Sequence, residues 1–225
     1  METAIADGRA EVNGSVITRM GSKIHPESDI VVFDGSTINP SNVIKVYVLL
    51  NKPRGVLSTT KDDYGRKTVM DCLPKELLRH RLFPVGRLDW NSEGLVLLTN
   101  DGDLAHRLLH PKFEHYRHYL VKVTGRPKES QLNKLRHGLQ LEDGFTSPTK
   151  IKEIGFYDSH TELEMTMREG RNRQIRRMFS SIGSSVTHLR RTGLATLNIG
   201  RLGLSESRLL TSTEVSKLRK SAGLE

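Results

Sequence analysis

Three observations predict an α+β fold. Short apolar runs of strand length recur along the chain. Other stretches carry the 3.6-residue apolar period of a packed helix. The two kinds of element mix without the strict alternation of a parallel sheet. At 225 residues the chain has room for one substantial core and a small accessory module.

Residues 1–38 read as that module. Asn13 and Gly14 stand between alternating apolar positions, a hairpin signal, and residues 29–33 form a second strand closed by Asp34 and Gly35. A Pro/Ser/Asn stretch within 39–45 is the linker, and 46–225 is the main domain. Residues 46–50 are an apolar strand stopped by NKPRG at 51–55, with 56–59 expected as the next strand. Residues 95–98 are a short buried strand. A helix should follow it, with Asp101 or Asp103 at its start and Pro111 as its stop.

Residues 119–123 alternate, with Tyr119, Val121 and Val123 on one face. Residues 127–137 suit a helix with Leu132 and Leu135 inward and Gly138 past its end. Leu163, Met165 and Met167 alternate with polar residues as a half-buried strand. Residues 171–182 read as a helix whose core stripe is Ile175, Met178, Phe179 and Ile182, with Asn172 as cap and Gly183 as stop.

Composition narrows the function. Hydrophobic residues make up 36% and mean hydropathy is −0.45, with no apolar run long enough to span a bilayer. Residues 1–10 lack the features of a secretory leader, and a lone Cys72 rules out an internal disulfide, so a reducing, cytoplasmic location is expected. The net charge of +9 and pI of about 9.8 favour a polyanionic partner. Between residues 166 and 191 stand seven arginines and one acid, Glu169. Phosphate-loop, dinucleotide, zinc-protease and serine-hydrolase motifs are absent, and His106 with His110 lacks a third metal ligand. No metal is therefore expected.

Two features carry candidate chemistry. GRLD at 86–89 puts Asp89 at the mouth of a strand with Arg87 two residues earlier, which suits nucleophilic or acid/base work; a turn aspartate bonding its own backbone is the commoner use of such a residue. EGRNRQIRR at 169–177 crowds Arg171, Arg173, Arg176 and Arg177 around a helix start, where they either meet phosphates or form a solvated basic face. Tyr119 is either a core residue or a platform for a flipped-out base.

The motifs NKPRG at 51–55, PVGRLD at 84–89, GLVLLTNDG at 94–102, HP at 110–111, YLVKV at 119–123 and EGRNRQIRRMF at 169–179 follow one another in order. Together they resemble the ribosomal RNA pseudouridine synthases of the RsuA/RluB type. The resemblance implies a mixed, mostly antiparallel sheet with a central RNA-binding cleft, and isomerisation of a uridine in ribosomal RNA, leaning to the large subunit, without a cofactor. It implies Asp89 as nucleophile at C6 or C1′, Tyr119 against the base, Arg176 paired with Asp89, and Arg87 holding the flipped nucleotide. Lys52, Arg54, Arg171, Arg173 and Arg177 would contact RNA, free or in an assembling subunit. A monomer is expected because no coiled-coil or exposed apolar stripe suggests otherwise.

Residues 1–38 resemble part of an S4 RNA-binding module that lacks the usual basic leading helix, and Ser92 stands where the family more often has Thr. A non-catalytic RNA-binding or ribosome-assembly factor with the same fold is the alternative. The joint presence of Asp89, Tyr119 and Arg176 argues against it.

Overall fold

Turn chemistry builds the first of two compact units, Met1–Lys45 and Val46–Glu225, in a computed structural model that describes residues 2–25, 28–38 and 43–224. The first unit has a short helix α1 (Glu2–Ala6) and strands β1 (Ala10–Val12), β2 (Ser15–Ile17), β3 (Val31–Phe33) and β4 (Ser36–Ile38), in the order β2-β1-β3-β4. Asn13 and Gly14 (φ 51° and 79°), and Asp34 and Gly35 (φ 49° and 74°), take the left-handed conformations that a tight two-residue hairpin requires. Strand β4 was not expected. It forms because the second of these turns folds the chain back on β3. Ala4 is the buried apolar side chain among this unit's described residues. The Pro/Ser/Asn stretch at 39–42 lies outside the described residues.

The second unit is built on a nine-stranded sheet. Its members are β5 (Tyr47–Lys52), β6 (Phe83–Pro84), β7 (Glu93–Thr99), β8 (Arg117–Thr124), β11 (Lys150–Tyr157), β12 (His160–Met167), β13 (Val186–Leu194), β14 (Leu197–Asn198) and β15 (Ser207–Leu209). The order is β11-β12-β8-β13-β7-β5-β15, with β6 beside β7 and β14 beside β13. Only β13 against β7 is parallel; the other pairs are antiparallel. A small hairpin, β9 (Gln140–Leu141) and β10 (Gly144–Phe145), stands apart.

Both sheet faces are covered, which explains the continuous apolar runs of β5 and β7. On one face lie α4 (Glu129–His137) and α5 (Gln174–Ser180), which contribute Leu132, Leu135, Ile175, Met178 and Phe179 to a core with Leu50, Val96, Val121 and Leu163. On the other, α3 (Gly102–Leu109) and α6 (Ser212–Ser221) bury Leu104, Leu108 and Leu218 against Leu49, Leu95 and Leu97. Asp101 caps α3 by accepting from Leu104 N (3.3 Å), and Gly138 ends α4. Helix α6 was not foreseen. Thr211 and Glu214 form its capping box, and Arg208 with that box holds the Glu214 pKa down at about 2. No described helix is long and apolar enough to cross a membrane.

Two expectations need correction. Residues 56–59 form no strand: Leu57 makes an isolated bridge to Thr68, and the Ser58 hydroxyl is spent on the backbone of Leu88. The helix expected from 171 begins at Gln174, because Arg173 sits in the left-handed region at φ 47° and breaks the helical path.

Register places one row of residues across six strands: Ile151, Met165, Tyr119, Arg191, Gly94 and Lys52. The row depends on Gly94. A Cβ there would lie 2.2 Å from the Arg191 carbonyl oxygen, and its φ of 109° is a glycine conformation. A missing side chain thus lets β7 and β13 close up in the middle of the sheet.

Candidate active site

The loop between β6 and β7 carries Asp89, and its backbone is held carbonyl by carbonyl. Ser58 Oγ donates to Leu88 O and accepts from Leu88 N, both at 3.0 Å. Ser92 N donates to Asp89 O (3.0 Å), and Gly55 N to Trp90 O (2.9 Å). Asn91 O accepts from Arg54 Nε (3.2 Å) and Arg176 Nη2 (3.0 Å), and Ser92 O from Lys52 Nζ (2.8 Å). Five successive carbonyls therefore have a partner, three of the donors being cationic side chains. Such charge-assisted bonds are stronger than neutral ones and limit the loop's freedom. Ser92 also brings its hydroxyl within 3.4 Å of Arg176 Nη2, so the Ser that replaces the more usual Thr keeps a polar contact.

Lys52 was expected at the RNA surface. It is 0% exposed, and its ammonium is committed to Pro53 O and Ser92 O beneath the Asp89 loop. The alternation of β5 puts residue 52 on the same face as Leu50, which is why the cation turns inward. Burial lowers its pKa to about 8, against the opposing pull of Cys72, Asp89 and Glu93.

Arg176 was expected to pair with Asp89. Its guanidinium instead donates to Val186 O (2.9 Å), Asn91 O and Ser92 Oγ, bracing the loop from below. Burial lowers its pKa and Arg173 adds to that, while the Asp89 charge opposes both. The cation that faces the Asp89 carboxylate is Arg173, with Nη1 at 3.9 Å from Oδ2 and its side chain half-exposed. The left-handed backbone of Arg173 sets this approach just ahead of α5. A non-glycine residue in that region costs about 1 kcal/mol and is common at functional sites.

Arg171 and Arg177 also depart from the expected RNA contacts. Arg171 donates to the carbonyls of Asp143 and Gly144 (3.1 Å each) and Phe145, and its Nε to Glu169 (3.3 Å). Arg177 makes a two-point bond to Asp143 (2.9 and 2.7 Å). Both guanidinium groups tie the β9–β10 hairpin to the start of α5. Glu169, the one acid in the arginine run, accepts from Ser147 N, Gln174 Nε2 and Arg171. Arg87 and Arg54 keep solvent-facing positions. Arg87 makes no hydrogen bond or ion pair among the described residues.

Asp89 opens into a pocket of about 350 Å³, room for one nucleoside. Its wall includes Tyr119, Met167, Ile175 and Leu189, an apolar bed for a planar group. Five arginines (87, 117, 171, 173 and 191) line it against two carboxylates, Asp89 and Glu169. Tyr119 is 8% exposed, so a ring expected either in the core or beneath a base borders both.

Residue-by-residue reading missed Ser58, Arg117 and Arg191. The available signal for Arg191 was its position two residues after Leu189, on the same strand face as an apolar core residue. Chemically, the arrangement offers a carboxylate at the edge of an aromatic-floored pocket with a cationic rim. It suits attack on a planar, anionically tethered substrate such as a nucleotide.

Known proteins share both the sequence and this fold. The model of the family described as RNA pseudouridylate synthase matches residues 46–181. Ribosomal large subunit pseudouridine synthase B of Bacillus subtilis (strain 168) is 42% identical over 220 residues, 97% of this chain and 88% of that protein. An RNA pseudouridine synthase of Aquifex aeolicus (strain VF5) is 38% identical over 225 residues, 100% of this chain and 89% of that protein. A crystal structure of a pseudouridylate synthase superimposes with a TM-score of 0.72 at 30% identity, covering 96% of this chain and 91% of the other. A protein of an H/ACA RNP bound to a substrate RNA containing 2′-deoxyuridine shares the fold alone, with a TM-score of 0.52 at 14% identity over 86% of this chain and 60% of that one. With more than half of its length matched by the family model and a relative 42% identical over 97% of the chain, this chain belongs to the RNA pseudouridylate synthase family.

Proposed function

We propose that this protein isomerises a uridine of large-subunit ribosomal RNA to pseudouridine, with Asp89 as the nucleophile. The observation that carries the assignment is the Asp89 carboxylate, on a fully braced loop, opening into a pocket lined by Tyr119 and arginines. The ribosomal substrate rests on the relative from Bacillus subtilis, whose name states it.

Uridine and pseudouridine have the same composition, so the reaction needs no external oxidant, reductant or group donor. An Asp89 oxygen bonds to C6 of the base or C1′ of the ribose. The C1′–N1 bond breaks, the base turns, and a C1′–C5 bond forms. Asp89 is released as its bond breaks, either by elimination from C6 or by displacement from C1′ when C5 attacks, while a proton leaves C5 and one is taken up at N1. Tyr119 packs on the base and is placed to take part in removal of the C5 proton.

Arg173, facing Asp89 at 3.9 Å, fills the electrostatic role first given to Arg176. Arg176 and Lys52 then hold the loop so that Asp89 meets the substrate without searching conformations. Arg87 at the rim supports the flipped nucleotide, offsetting part of an unpairing cost of about a few kcal/mol. Arg173 is the first candidate phosphate contact, and Arg54, exposed although it donates to Asn91 O and Thr187 O, is the second.

The compact unit Met1–Lys45 supports an accessory role for residues 1–38 as a partial S4-like RNA grip, with 39–45 as linker and 46–225 as the catalytic domain. We assign the enzyme to the cytoplasm as a monomer acting on RNA, free or in an assembling subunit. The test is conversion of large-subunit ribosomal RNA by purified protein, read as pseudouridine formed per enzyme. Wild type should convert one site, and Asp89→Asn should bind the RNA and convert none. Turnover by Asp89→Asn would remove the nucleophile assignment.

A further inference from the structure

Arg191 lines the pocket and takes no part in the steps of the isomerisation. Arg191 is 3% exposed yet borders the pocket, anchored by Nε to Leu95 O at 2.8 Å. Its Nη2, like Arg176 Nε and Arg190 Nε, is buried and meets no acceptor among the described residues, and of these three arginines Arg191 is the one that lines the pocket. Burial pushes its pKa down, the charge of the Tyr119 phenol and a hydrogen bond with it oppose that, and Arg117 adds to the fall. Native structures rarely leave a buried guanidinium N–H unpaired, because the lost hydration is not returned.

Position suggests what completes it. Arg191 is the direct cross-strand partner of Tyr119, so the two side chains stand side by side on one face of the sheet. Beyond Arg191 in the same row comes Gly94, which offers no side chain as a partner. A planar base lying on Tyr119 would therefore turn one edge toward Arg191 Nη2.

We propose, resting on the function assigned above, that Arg191 contacts the target base directly, with Nη2 donating to uracil O4 and its charge holding the negative charge that gathers there. O4 is the atom that both chemical routes charge. If Asp89 attacks C6, the new O–C6 bond displaces the C5–C6 π pair through C4 onto O4. If Asp89 attacks C1′, the O–C1′ bond forms as C1′–N1 breaks, and the departing pair on N1 is shared with O2 and O4. Arg191 keeps its proton throughout. The contact also selects uridine, since cytidine presents an amino donor at that position.

The experiment is a cycle that pairs a protein change with a single-atom substrate change. Large-subunit ribosomal RNA transcripts are made with uridine or with 4-thiouridine, whose sulfur is a weaker acceptor than O4. Single-turnover rates at saturating enzyme, RNA dissociation constants and melting temperatures are measured for wild type, Arg191→Gln and Arg191→Lys.

Arg191→Gln should slow the uridine reaction about 100-fold, as loss of a donor to a developing oxyanion does, with RNA affinity nearly unchanged. The penalty for 4-thiouridine seen with wild type should vanish in Arg191→Gln. Equal 4-thiouridine penalties in wild type and variant would overturn the contact. If Arg191→Gln does not fold, Arg191→Lys carries the same cycle. Unfolding of both would assign Arg191 to structure alone and overturn the proposal. A wild-type protein that converts no uridine in the unmodified RNA contradicts the functional reading itself, a result distinct from either.

Discussion

The two sides of the pocket are built differently. On the Asp89 side, five successive carbonyls are held, by Ser58, Gly55, Ser92, Lys52, Arg54 and Arg176. On the rim, Arg87 has no partner among the described residues, and Arg173 reaches Asp89 only at 3.9 Å from a left-handed backbone. The difference separates two tasks. A nucleophile gains from a fixed position, because misplacement by an ångström costs rate. Cations that meet phosphates gain from staying solvated and adaptable, since their attraction is long-ranged.

The largest effect should come from the sheet that supports the braced side. Gly94→Ala would press a methyl against the Arg191 backbone, 2.2 Å from its carbonyl oxygen, at a φ of 109°. A loss of about 3 kcal/mol or more is expected in chemical denaturation, in the range of overpacking plus backbone strain. A near-neutral result would mean that β7 and β13 can part without cost.

Arg176→Ala should come next. It removes the bonds to Val186 O and Ser92 Oγ and leaves Asn91 O to Arg54 alone, and is expected to cut single-turnover rate by about 100-fold with little change in RNA affinity, the mark of lost positioning. A matched fall in affinity would place Arg176 on the RNA instead.

Lys52 gives a pH-dependent test of the same side. Its folded pKa of about 8 lies below the ordinary 10.5, so the unfolded chain binds more protons between those values. By linkage this group makes folding more favourable as pH rises from about 8 to 10.5, by about a few kcal/mol in total. Thermal melts should show that rise in wild type and lose it in Lys52→Met. A parallel pH profile in the two proteins would contradict the buried, charge-stressed lysine.

The smallest effects belong to the rim. Arg173→Ala should weaken RNA binding and flatten its log–log salt dependence by about 0.7, one single-strand phosphate contact. Arg177→Ala should leave the slope unchanged, because that guanidinium is bound to Asp143. Equal slope changes in both would erase the distinction between them.

Much of the frame is legible in the chain because apolar period reports burial. Strands β5, β7, β8 and β12 and helices α3 and α4 stand where their patterns place them, as does the hairpin at Asn13–Gly14. The failures share a physical cause: side-chain period says nothing about backbone conformation or about partners distant in sequence. The stripe at Ile175, Met178 and Phe179 cannot reveal that Arg173 is left-handed, so α5 was started too early. Residues 56–59 are apolar enough for a strand, yet Ser58 is spent on Leu88, thirty residues away.

Among the arginines, charge alone could not separate those tied to protein carbonyls from those at the rim. Arg191 was one of seven arginines counted between residues 166 and 191, and strand register places it in the pocket wall. The family motifs pointed to Asp89 and Tyr119 together, and the two do border one pocket. The cation facing Asp89 was misassigned by three residues, close to one turn of α5, a distance that only coordinates resolve.

The most direct test of the central claim is pseudouridine mapping of ribosomal RNA from cells lacking this gene, rescued with wild type or with Asp89→Ala. The account predicts that one large-subunit pseudouridine disappears and returns only with wild type. Its return with Asp89→Ala, or an unchanged map in the deletion strain, would contradict an Asp89-dependent ribosomal RNA synthase.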